Sequence, residues 1–211
     1  AHQAELIFSA GQSGSPGKMW ENEKNRQQAE AILANGDIDL FGMPIATTPD
    51  EEKALSDFQQ WIDLALTHNP NTSFYIGQIW TPRGPSMEDQ KYADLTEQSA
   101  QRNFEIIEEL RAIYPNNQIY FINYGKITAD MKFAFSAGEL PDIEQLVGKD
   151  ETALFVDDKI GHGGRLMHEL CALTWVNILY DAEIDTIVHS SFSEEALKIL
   201  IEAIEYNSQF K

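Results

Sequence analysis

Two glycine-rich segments of the chain carry the residue types of an acyl-transfer centre. The first is Leu6-Ile7-Phe8-Ser9-Ala10-Gly11-Gln12-Ser13-Gly14-Ser15-Pro16-Gly17. An apolar run that breaks into glycines and small hydroxyl residues before a helix places Ser13 at the end of a first strand, where open α/β sheets bind their ligands. A serine there is a candidate nucleophile. Its flanking glycines let the backbone turn and a substrate approach, and the following helix would aim N–H groups at a developing oxyanion. The same residues also compose an ordinary serine-rich turn.

A nucleophilic serine needs a base to take its proton and an acid to orient that base. Five histidines are available. His2 stands at the start of the chain, and His68 falls at the C-terminal end of an expected helix, where the helix dipole suits it without catalysis. His168 lies inside an apolar helix as a core or groove residue, and His189 ends the run Thr186-Ile187-Val188-His189. His162 is different, because it closes the second segment, Asp157-Asp158-Lys159-Ile160-Gly161-His162-Gly163-Gly164. One loop at the mouth of a buried helix thus offers acid and base together. The bland reading of this loop is a turn with an incidental histidine.

The elements that must position these loops follow from hydrophobic periodicity. Asn22 to Leu33 reads as a helix closing at Asn35-Gly36, and Ile38 to Met43 as a strand. Thr48-Pro49-Asp50-Glu51 is a capping box ahead of a helix on which Leu55, Phe58, Ile62 and Ala65 share a face. Thr72 to Trp80 is a run of β-formers ended by Thr81-Pro82-Arg83-Gly84-Pro85. A long helix from about Met87 to Ile113 carries Leu95, Ile106, Leu110 and Ile113 as its stripe. Gln118 to Tyr124 is the next strand, Asp130 to Ala137 a helix ending at Gly138, and Leu140 to Val147 a short element. Ala153 to Val156 leads to the acid–base loop. A helix from Arg165 to Tyr180 is apolar over a wide arc, expected to pack on more than one side. A last helix starts at Ser193 as its N-cap and runs to about Tyr206. Alternating strands and helices imply an α/β fold with a mainly parallel sheet covered on both faces.

Composition sets the limits. At 211 residues, one domain spanning 1–211 is expected, with a full core. Charged residues at 23% and hydrophobic ones at 43%, with no apolar run of membrane-span length, describe a soluble globular chain without a membrane partner. A formal charge of −19 would repel phosphate backbones and anionic lipid surfaces, so nucleic acid is not an expected partner. The single cysteine, Cys171, excludes an internal disulfide framework and is expected to be buried. The carboxylates show no metal-ligand spacing beside a histidine pair, so metal-dependent hydrolysis is not expected. A chain beginning at Ala1 is what cleavage of a secretory leader after a small residue would leave. The expected location is periplasmic or secreted, with the cytoplasm as the alternative.

The serine turn after the first apolar run, the Asp–His loop before the last helices, and the length together resemble the SGNH/GDSL hydrolase family, over most of the chain. Gly11-Gln12-Ser13 is similar to its Gly-x-Ser turn. Ile79-Trp80-Thr81-Pro82 is similar to its proline-bearing turn after a central strand, and Asp157 to His162 resembles its C-terminal Asp-x-x-His block in a Gly-His version. The resemblance implies a three-layer α/β/α sandwich of flavodoxin-like type and a Ser13-His162-Asp158 triad that needs no cofactor, with Asp157 as the alternative acid. It also implies that the N–H groups of Ser13 and Gly42 hold the oxyanion. Trp80, an aromatic at a strand end, would contribute to substrate binding by stacking on a sugar or aryl acid.

Two departures from the family pattern stand out. The acid-to-base spacing is one residue longer than usual from Asp158 and two longer from Asp157. The family's Gly-x-Asn-Asp block, whose asparagine donates to the oxyanion, has no match after Ile38-Asp39-Leu40-Phe41-Gly42-Met43-Pro44-Ile45-Ala46-Thr47. The expected activity is hydrolysis of carboxylic esters, with acylated carbohydrates as the substrate class. The alternatives are an O-acyltransferase using the same triad and a non-catalytic carbohydrate-binding protein.

Overall fold

The computed structural model describes residues 3–9, 11–45, 51–182, 184 and 192–210. His2, His189 and the first three residues of the expected capping box, Thr48 to Asp50, lie outside the described residues. The chain forms a mixed α/β structure in which contacts define two compact units. The first comprises 1–78 and 102–121, the second 79–101 and 122–211.

The first unit is built on a three-stranded sheet of order β1-β2-β3, with β1 at Leu40–Ile45, β2 at Ser73–Gln78 and β3 at Ile119–Asn123. β1 and β2 run parallel, in a register that pairs Leu40 with Ser73 and Ile45 with Gln78. A short α1 (Pro16–Glu21) and α2 (Glu23–Leu33) precede β1, and α3 (Glu51–His68) connects β1 to β2. Asn22 caps α2 by accepting from Asn25 N, and Gly36 takes the left-handed conformation (φ 70°) at the expected stop, Asn35-Gly36. Phe58, Ile62 and Ala65 are fully buried along one face of α3, as their spacing predicts. Trp61, on the same helix, donates its indole N–H to Pro16 O at 2.9 Å and so ties α1 down.

α4 (Asp89–Ile113) and β3 contribute residues to both units. The buried face of α4 is Tyr92, Thr96, Ala100, Asn103, Ile107 and Leu110, at helical spacing. It differs from the apolar stripe read from sequence: Ile113, the last residue of the helix, is exposed, and two polar residues stand on the buried side. Both are satisfied. Thr96 Oγ1 lies 3.0 Å from Thr81 Oγ1, and Asn103 Nδ2 donates to Gln78 Oε1 at 2.9 Å.

The second unit holds a parallel pair, β4 (Gln145–Val147) and β5 (Ala153–Phe155), with α5 (Gly125–Ala137), α6 (Arg165–Tyr180) and α7 (Glu194–Ser208). α5 begins five residues ahead of its expected start because Asn123 Oδ1 accepts from Gly125 N at 3.0 Å, tethering the first turn where no Ser, Thr or Asp signals a cap. α6 buries Leu166, Met167, Leu170, Cys171, Thr174 and Ile178, while Val176 and Tyr180 are exposed. Its arc is therefore narrower than its composition suggests. Ser193 caps α7 by accepting from Ala196 N at 3.2 Å, as expected. Asn207 joins α7 to β3: its side chain accepts from Asn123 N at 2.6 Å and donates to Asn123 O at 3.1 Å.

The expected first strand does not form among the described residues. Positions 3–9 carry no strand, and Leu6 and Phe8 are 81% and 76% exposed. The sheet order β1-β2-β3 leaves β1 at the edge, and positions 3–9 do not pair along it. β-forming side chains make a strand only against a neighbour.

Candidate functional site

The acid–base loop is built from its backbone outward. β5 enters it and α6 leaves it, and Phe155 and Gly163 close its base as an antiparallel bridge. Val156 N donates to His162 O at 2.9 Å and Gly164 N to Leu154 O at 2.7 Å. Inside this frame Asp157 turns its carboxylate toward the loop's own amides. Oδ1 accepts from Ile160 N at 2.7 Å and Gly161 N at 3.0 Å, and Oδ2 accepts from His162 N at 3.2 Å. Oδ2 also lies 2.5 Å from His162 Nδ1.

These contacts fall on the alternative acid, Asp157. Asp157, not Asp158, is the carboxylate paired with His162; Asp158 is exposed on the outer side of the turn. The reason is local. An aspartate at the first position of a tight loop captures the N–H groups three and four residues on, and His162, at the fifth, brings its ring over the same carboxylate.

The N–H groups of Ile160 and Gly161, followed by the ring and N–H of His162, hold the Asp157 carboxyl well below the usual carboxylate range. At neutral pH Asp157 is therefore an ionised acceptor, and an ionised carboxylate only accepts. His162 Nδ1 must carry the shared hydrogen, so a neutral ring has its lone pair at Nε2. The His162 side chain is 61% exposed, so this basic nitrogen can meet a reactant.

Trp80 belongs to the same site. Its Nε1–H donates to Gly161 O at 2.8 Å, and Arg83 N donates to Ile160 O at 2.8 Å. Gly161 takes φ 79°, and a side chain there would meet Pro85 Cδ at 2.9 Å, so the loop needs glycine at this position. The indole packs edge-on against His168 (5.6 Å between centroids) and Tyr124 (6.4 Å), and Tyr124 continues to Trp175 at 5.9 Å. His168 is exposed, which corrects its reading as a core or groove residue. Trp80 is half-buried, with its one polar group committed to Gly161.

Ser13 and Gly42 are in the first unit. Ser13 is the exposed third residue of a single 3-10 turn, Gly11–Gly14, and positions 3–9 ahead of it carry no strand. Gly11 is left-handed there (φ 58°), and a side chain at Gly14 would come within 2.4 Å of Ser9 O. The glycines thus have the backbone role expected of them. Gly42 lies inside β1, paired with Tyr75, and a side chain there would run into the Tyr75 ring. Its place in a strand is the one expected from the apolar run Ile38 to Met43.

The structure thus brings together Asp157, His162 and Trp80, and adds Gly161, Arg83 and His168 around them. Sequence reasoning missed the last three as site residues. For Gly161 the signal was present, since an aspartate followed four residues later by glycine is the pattern of a side-chain-capped turn. Arg83, left-handed at φ 65° without being glycine or asparagine, gave none. Compared with family models, curated proteins and solved structures, the chain gives no match.

Proposed function

We propose that the protein is a serine hydrolase of carboxylic esters, with Ser13 as nucleophile, His162 as general base and Asp157 as the acid that orients it. The Asp157–His162 pair, with Nδ1 turned to the carboxylate and the ring exposed, is the observation that carries this reading.

In the first step Ser13 Oγ bonds to the ester carbonyl carbon as its proton passes to His162 Nε2. The tetrahedral intermediate collapses, the carbon–oxygen bond to the leaving alcohol breaks, and Nε2–H protonates that alcohol. Water then attacks the acyl-enzyme by the same exchange, releasing the carboxylic acid and restoring Ser13. The Ser13 N–H serves the oxyanion. Gly42, in a strand interior, is not carried into the donor set, and loss of one donor typically lowers the rate about a hundredfold to a thousandfold. A slow hydrolase is the corresponding expectation. The reading takes acyl groups on carbohydrates as substrate class and carries with it the three-layer sandwich and a periplasmic or secreted location.

The second reading, a carbohydrate-binding protein without catalysis, is favoured by one observation: positions 3–9, ahead of the Ser13 turn, carry no strand. Turnover of p-nitrophenyl acetate by the wild-type protein and by Ser13→Ala separates the two. The hydrolase reading expects turnover that is lost in the variant. Equal rates in both, or none in either, would remove it. Repeating the assay with a sugar alcohol as acceptor detects acyl transfer by the same centre.

A further inference from the structure

Two consecutive peptide groups of the acid–base loop are held on both sides. The carbonyl of the Ile160–Gly161 peptide accepts from Arg83 N, and its N–H donates to Asp157 Oδ1. The carbonyl of the next peptide, Gly161–His162, accepts from Trp80 Nε1, and its N–H donates to Asp157 Oδ2. The turn after β2 therefore grips the outer edge of the loop while Asp157 grips the inner edge. Only the second peptide carries His162 itself.

From this clamp we infer that Trp80 is a positioning residue for the Asp157–His162 pair, acting through the Gly161 carbonyl, and not a platform for substrate. A carbonyl that accepts a hydrogen bond polarises its own peptide, so the Trp80 contact strengthens the His162 N–H as a donor to Asp157 Oδ2. That is the same oxygen that faces His162 Nδ1. Fixing it fixes the ring, and a base must be held in the productive geometry to act. The indole is itself held edge-on by Tyr124 and His168, and a side chain at Gly163 would meet its Cη2 at 3.3 Å, so the donor has little room to swing away.

The inference deepens the hydrolase reading and rests on it only for turnover. Trp80→Phe keeps the ring and removes the N–H. In the wild-type protein His162 should give the 15N signal of a protonated Nδ1, read through the carbon-bound ring protons, and that signal should disappear in Asp157→Asn. In Trp80→Phe that signal should be lost or broadened, with kcat reduced about tenfold to a hundredfold and KM unchanged. His168→Gln, which alters only the exposed aromatic neighbour, should keep the signal. A Trp80→Phe protein that retains the signal, or in which only KM changes, would overturn the assignment. If Trp80→Phe fails to fold, the indole N–H resonance of Trp80 is followed across the His162 titration in His168→Gln. That background removes the other histidine ring at Trp80 and leaves Arg83, Asp157, Asp158 and Lys159 as the charged side chains of the two segments beside His162. The indole resonance should move with His162, and a flat response would overturn the clamp. Both NMR readouts are independent of Ser13, so failure of the hydrolase reading is seen separately in the ester assay.

Discussion

His162 Nδ1 and Asp157 Oδ2 are 2.5 Å apart, and the other oxygen of the same carboxylate is occupied by the loop's own amides. One side chain thereby does two tasks. It folds the loop that carries the histidine, and it fixes the tautomer of the histidine it carries.

The two aspartates are separated by substitution. Asp157→Asn should lower ester turnover by a factor on the order of a thousand to ten thousand, as loss of the orienting carboxylate does in serine hydrolases. Asp158→Asn, altering an exposed side chain, should leave turnover within about twofold. Steady-state kinetics on both variants checks this, and the reverse order of effects would restore Asp158 as the acid.

The same carboxylate predicts a pH signature in stability. Its pKa is lowered on folding, so its contribution is fully present above the unfolded carboxyl value, about 4, and is lost as pH falls below it. The melting-temperature gap between wild type and Asp157→Asn should therefore narrow progressively as pH falls below about 4. A gap that persists unchanged into acid would mean that Asp157 is not held as an ion.

Gly161 tests the loop's conformation without touching a titratable group. Gly161→Ala forces a left-handed φ on a side chain that also meets Pro85, and should cost about 1–2 kcal/mol or more in denaturant unfolding. Gly138→Ala, also left-handed but with open space around it, should cost only the conformational part. Equal losses would show that the Pro85 contact carries no weight.

Cys171 should be chemically silent. Burial among α6 residues pushes its thiol up to about 12, which leaves almost no thiolate at pH 8. Reaction with a disulfide reagent should require denaturant; rapid labelling of the native protein would place Cys171 at an accessible surface.

Much of the fold was legible in sequence because it rests on periodicity. Phe58, Ile62 and Ala65 repeat at helical spacing and are buried, and Ser193 and Gly138 mark helix ends by cap chemistry that is purely local. What failed was non-local. Leu6 and Phe8 have a strand's pattern, but a strand needs a neighbour, and positions 3–9 pair with none of the described strands. Thr96 and Asn103 broke the apolar stripe of α4 because their partners, Thr81 and Gln78, are remote in sequence. In the site, motif spacing left Asp158 and Asp157 as alternatives, and what separates them is not in the spacing: the amides of Ile160 and Gly161 and the ring of His162 meet Asp157.

Covalent labelling of Ser13 tests the central claim most directly. The wild-type protein is treated with a fluorophosphonate and digested, and the adduct is located by mass spectrometry. The account predicts one adduct, on Ser13, absent from Ser13→Ala and strongly slowed in Asp157→Asn. No labelling, or labelling on another serine, would contradict it.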